Sequence, residues 1–199
     1  MYSKGINTFF YFDTFVTFEL FYDTYFNIEE LNSMPVTPYH IGPGILIKSL
    51  LQKRFSLIVF IWTQILIDIQ PLIVLITGKG SLHGFSHTYI GTTLIALFSS
   101  ITGIYILRYF FPKKPLNKQL LMIAFISSFI GGYSHILLDS IMHNDFNPIY
   151  PFELNNYLYK IISLNTLHQL CIISGILGLS LFLLLSLIKK YIKVKKGEY

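Results

Sequence analysis

His135, Asp139 and His143 stand at intervals of four inside the run GGYSHILLDSIMHNDFNPIYP, residues 131–151. A helix advances about 100° per residue, so the three side chains fall within about 80° of one another and make one polar stripe. An ionisable group in apolar surroundings costs several kcal/mol unless it is paired or bound to a metal. Three of them on one stripe point to metal binding more than to a hydrogen-bonded seam between helices. Further upstream, Leu82-His83-Gly84-Phe85-Ser86-His87-Thr88 repeats the spacing, with His83 and His87 placed to present two imidazoles to one ion. Asp68, in ILIDIQPLIVL, lies inside another apolar run, where an isolated carboxylate would protonate and a bound cation would keep it charged. His40, in MPVTPYH, can join the set if its helix starts at the same membrane face.

The candidate metal ligands are therefore His40, Asp68, His83, His87, His135 and Asp139. They offer only nitrogen and oxygen donors. That set suits zinc first, with manganese or iron as alternatives, and it exceeds what one tetrahedral ion needs, so one or two ions are expected. His135 and His143 are ~12 Å apart along an ideal helix axis, too far to share an ion. His143 is accordingly assigned to a second ion or to proton transfer, and His143 or Asp145 is expected to protonate the leaving group in catalysis. The single cysteine, Cys171, and His168 read as packing residues, His168 with capping as the alternative.

The elements that position these groups follow from composition. The chain has 199 residues, 53% of them hydrophobic and 13% charged, against about 25% charged in soluble domains. Backbone in lipid must satisfy its hydrogen bonds internally, so an all-α membrane bundle is expected. Four apolar runs, at about 55–77, 88–111, 119–143 and 166–188, are long enough to span. A shorter stretch from His40 to Leu51 reaches only ~18 Å and reads as a half-membrane helix, with Gly42-Pro43-Gly44 allowing a bend or a close backbone approach.

Basic residues alternate between the connections. Lys48, Lys53 and Arg54, then Arg108, Lys113, Lys114 and Lys118, then the Lys-rich tail from Lys189 are expected in the cytoplasm by the positive-inside rule. The same rule puts 78–87 and 144–165 outside, together with the metal site. The net charge of +5 is thus accounted for by topology, and no nucleic-acid partner is expected. Three regions result: an aromatic extension at 1–33, either interfacial or an unstructured product of an early start codon; a membrane domain at 34–188; and a basic tail at 189–199.

MPVTPYH, LIDIQP, HGFSHT and GGYSHILLDSIMH followed by NPIYPF together resemble the integral-membrane metal-dependent hydrolases, whose metal motif is similar to that of zinc phospholipase C and P1 nuclease. The resemblance covers residues 34–152 and implies metal-binding roles for His40, Asp68, His87, His135 and Asp139. It also implies hydrolysis, with a phosphoester at the lipid headgroup level as the expected substrate and membrane lipid as the partner. The chain departs from the family pattern at two places: Gln70 stands where Asp-x-Asp is common, and Leu82-His83 where His-Arg is common. Two other classes remain open, a metal or proton transporter and a scaffold with a structural metal. A transporter calls for polar groups through the whole bundle, whereas the cytoplasmic half reads as mostly Leu, Ile and Phe.

Overall fold

The computed structural model describes residues 38–196; the extension at 1–33 and the last three residues of the tail lie outside the described residues. Five α-helices follow one another among the described residues: α1 (Pro38–Leu51), α2 (Leu57–Thr77), α3 (Tyr89–Phe110), α4 (Lys118–Met142) and α5 (Leu164–Lys195). Among the described residues there is no strand, and α2 to α5 are each long and apolar enough to cross a membrane. The protein is an all-α integral membrane bundle. The expected boundaries differ from the observed ones mainly at α5, whose 32 residues run ~48 Å, well past ~30 Å of hydrocarbon.

Each spanning helix starts at a side-chain cap. Ser56, Thr88, Asn117 and Ser163 accept from the backbone N–H of Val59, Gly91, Leu120 and Thr166, satisfying donors that lipid cannot. Gly78 ends α2 in the left-handed region at φ 65°.

Helices α2, α3 and α4 pack on one another, while α1 packs chiefly on α5 and touches α2 and α4 more lightly. Because lipid removes the hydrophobic drive between helices, close approach of small residues must supply the contact. Gly131 and Gly132 illustrate this: a Cβ at the first would lie 2.8 Å from the Phe60 carbonyl oxygen, and at the second 2.6 Å from Thr92 Cγ2. This double glycine sits one turn before His135 and lets α4 settle between α2 and α3. Gly42 serves the other seam, its missing side chain leaving room for the carbonyl of Cys171 on α5. The expected close approach at Gly42 is therefore a helix-to-helix contact, and Cys171 is buried beside it. His168 stacks on Tyr39 with ring centroids 4.2 Å apart and planes 7° apart, which is packing between α5 and α1; Ser163 does the capping.

One end of the bundle is closed by an apolar cluster of Val59, Leu107 and Leu120, backed by Ile58 and Ile104. Basic residues gather around this end. Lys48 donates to the carbonyls of Gln52 (2.8 Å) and Phe55 (2.7 Å), and Lys189 donates to Gln52 Oε1 at 2.5 Å. Above the apolar cluster lies a layer that composition alone conceals: Ser49, Thr63, Ser99, Ser127 and Ser128 are all fully buried. The expectation of an interior of Leu, Ile and Phe holds for the end cluster and fails for this layer. These hydroxyls are nonetheless partnered, some within their own helix, as with Thr63 to the Val59 carbonyl, Ser49 to Leu46 and Ser128 to Phe125, and some across helices, as with Thr63 to Ser99 at 2.6 Å and Ser127 accepting from the Ser56 N–H at 2.8 Å. They are packing hydroxyls that keep helices close.

Candidate metal centre

The other end of the bundle collects the histidines. Four elements contribute: the start of α1 (His40), the middle of α2 (Asp68), the short turn Phe85–His87 ahead of α3, and the last two turns of α4 (His135, Asp139). His135 Nε2 lies 3.0 Å from Asp139 Oδ2 and 3.2 Å from Asp68 Oδ1; His87 Nε2 lies 3.6 Å and 3.7 Å from the same two oxygens. Imidazole and carboxylate alternate around this ring. A tetrahedron drawn with zinc-type bonds of ~2.0–2.1 Å has edges of ~3.3–3.4 Å, and these four separations bracket that length. His40 Nε2 approaches the other oxygen of Asp139, Oδ1, at 3.4 Å.

These atoms are close without being satisfied. Both ring nitrogens of His40, both of His135, and Asp139 Oδ1 are buried with no hydrogen-bond partner. The His135–Asp139 separation is a hydrogen-bond length, yet its geometry is not that of a hydrogen bond, which leaves His135 Nε2 open to a cation at a shared point between the ligands. Orphaned polar atoms at this depth cost about 1–3 kcal/mol each, and a cation at the shared point removes that cost. The donor set therefore fits a divalent metal, and two overlapping triads, His40–His135–Asp139 and Asp68–His87–His135, each bring one ligand atom per residue within 4.8 Å of the others.

The ligands are held from behind. Ser86 Oγ hydrogen-bonds His87 Nδ1 at 2.9 Å, which turns Nε2 toward the carboxylates. Burial holds the His87 imidazole below its ordinary pKa, so that nitrogen keeps its lone pair at neutral pH. Gln70, the departure from Asp-x-Asp, does not approach the ring of ligands: its Oε1 accepts from the Ser86 N–H at 2.9 Å and its Nε2 donates to the Ser81 carbonyl at 3.3 Å. It clamps the 81–87 loop to α2, and Gly84 leaves the space in which its amide sits. Spacing from Asp68 suggests a ligand at this position, and only the tertiary contact reveals a clamp. We expect Gln70→Ala to weaken zinc binding about 10–100-fold, the range for losing an outer-shell partner; competition with a chromophoric chelator reads this directly, and unchanged affinity would show the loop is fixed by other means.

The remaining candidates cluster at the mouth. Asp145 receives the His83 Nδ1 contact at 2.9 Å on both oxygens, and the His83 and His143 rings lie 4.1 Å apart. His83 thus groups with His143 and Asp145 while its ring touches that of His87 edge-on, a grouping that its helical spacing to His87 does not show. Phe146, fully buried, packs on both His83 and His87, whose rings themselves meet edge-on with centroids 5.3 Å apart.

The connection from α4 to α5 folds back over this end. Pro148 O accepts from Tyr89 N at 2.8 Å, and Asn156 Nδ2 donates to the carbonyls of Ser140 (2.7 Å) and His143 (3.1 Å). The same connection exposes Phe152, Tyr157, Leu154 and Tyr150. Among the inner ligands, Asp68 has a side chain 31% exposed while Asp139 has 3% and His135 1%, so the centre opens beside Asp68.

Comparison with protein-family models, curated proteins and solved structures gives no match for this chain. Its identity as a metal-binding membrane bundle rests on the four apolar spans and on the buried His/Asp clusters that they assemble.

Proposed function

We propose that the protein is a membrane-embedded metal-dependent hydrolase acting on a phosphoester at the lipid headgroup level. The observation that carries this reading is the convergence of His40, Asp68, His87, His135 and Asp139 at one end of the bundle, with buried donor atoms left unpartnered. A divalent ion held there, zinc first, supplies Lewis-acid polarisation of a phosphoryl oxygen and a lowered pKa for water. The protein's own contribution is positional. Asp68 and Asp139 hold two negative charges against the ion, Ser86 and Gln70 fix His87, and the aromatic Tyr150 and Phe152 at the mouth hold an amphiphilic substrate at the interface. The motifs' resemblance to integral-membrane hydrolases supports the same reaction class.

One-sidedness separates this from transport. A carrier must expose its ligands to both faces in turn, whereas the Val59–Leu107–Leu120 cluster closes the far end. The transport reading has one foothold, Gln64. It is fully buried one turn beneath Asp68, and both amide atoms lack partners. Purified protein loaded with zinc should hydrolyse a generic phosphodiester or a short-chain phospholipid, and chelation should abolish that turnover. Zinc counterflow in liposomes with no hydrolysis would favour transport instead.

We place the metal end outside and the basic end in the cytoplasm, following the positive-inside rule. In a Cys171-free background, a thiol introduced as Lys114→Cys should resist an impermeant maleimide in intact cells and react after lysis. Labelling in intact cells would invert the topology.

A further inference from the structure

His83, His143 and Asp145 come from two separate connections. His83 lies on the loop after α2, and His143 caps α4 with its N–H on the Asp139 carbonyl at 2.9 Å; Asp145 follows two residues later. Each offers one ligand atom, and the three atoms lie within 4.8 Å of one another. This arrangement does not suit a general acid. Both Asp145 oxygens are engaged by His83 Nδ1 at 2.9 Å, and the hydrogen bond from His83 keeps the carboxyl below its ordinary range. His143 is only 9% exposed, and its Nε2 is buried with no partner.

An unpartnered buried imidazole nitrogen beside a second imidazole and a carboxylate is the donor set of a two-histidine, one-carboxylate site, with at least one position left for a small ligand. The Asp145 side chain is 49% exposed, so that position faces the outside of the bundle. We propose that His83, His143 and Asp145 form a second divalent-metal site at the mouth, separate from the inner centre and more readily exchanged with solvent. His83 stands where the resembled hydrolases commonly carry arginine, so this site belongs to this chain's own residues. A proton-transfer role for His143 and Asp145 is the competing assignment. Depth separates the two centres: the inner ligands are 1–3% exposed apart from Asp68, while the mouth is reached through Asp145. The two centres meet at the edge contact of the His83 and His87 rings, with Phe146 packed against both.

The test is zinc stoichiometry of the full chain in detergent, by equilibrium dialysis after chelator treatment. Wild type should take two equivalents, the weaker released first. His83→Gln and Asp145→Asn should each retain one, tightly bound; Asp145, being half exposed, tolerates the change without disturbing the fold. Asp139→Asn should show the reverse, keeping the weak ion and losing the tight one. One equivalent in wild type, or two in both mouth variants, overturns the mouth site while leaving the inner centre standing. Two equivalents in Asp139→Asn with one in the mouth variants would instead sink the inner centre alone.

Discussion

Asp139→Asn should lose the inner ion and hydrolytic turnover together. Asp139 is the residue on which the centre turns, since one carboxylate oxygen faces His135 and His87 while the other faces His40. Asparagine keeps the shape and removes the charge, so the three imidazoles and Asp68 are left to hold a cation with a single carboxylate. Losing a partner one shell further out already costs ~10–100-fold in metal affinity; losing Asp139 should exceed the upper end of that range. Turnover should fall in proportion to bound metal. Metal content by mass spectrometry on folded, monodisperse protein checks this, with His135→Ala as a parallel variant. If both variants keep full metal content, the buried stripe is helix packing and no inner centre exists.

The second large effect should come from a residue that touches no ligand. Gly42→Leu should push α1 off α5 and carry His40 away from Asp139. A Cβ at residue 42 would overlap the Cys171 carbonyl, and backbone on backbone has no rotamer with which to yield. Overpacking of this kind costs ~1–3 kcal/mol, which corresponds to a fall of about 5–150-fold in zinc affinity if it is felt wholly at His40. Membrane insertion should be unaffected, because α2 to α5 carry the spans. Wild-type zinc affinity together with an unchanged melting temperature in Gly42→Leu would show that α1 is not seated by this seam.

The fold was largely legible because spanning helices announce themselves by length and apolarity. The stripe on α4 was legible for a related reason: a polar residue in a span is costly, so Asp139 and His135 stood out. What periodicity cannot carry is contact between elements far apart in sequence. His83 and His87 share a spacing that puts both on one ion, yet they sit on a loop and a single tight turn, and the observed partner of His83 is Asp145. Gln70 looked like a weakened ligand and holds a loop. Likewise the buried hydroxyls of Thr63, Ser99 and Ser127 are hidden in sequences that read as apolar, and their partners lie on neighbouring elements: Thr63 pairs with Ser99, and Ser127 accepts from the Ser56 N–H.

The seam between α1 and α5 joins residues 38–51 to residues 164–195, the first and last helices of the described chain. During synthesis α1 therefore emerges long before the surface it leans on. Asp68, His87, His135 and Asp139 can assemble once α4 has entered the bilayer, but His40 must wait for the final span to arrive from the ribosome. The centre is consequently finished only once α5 is in place. Its fifth side chain acts as a completion mark, which a protein truncated before α5 would carry in its sequence and yet be unable to seat.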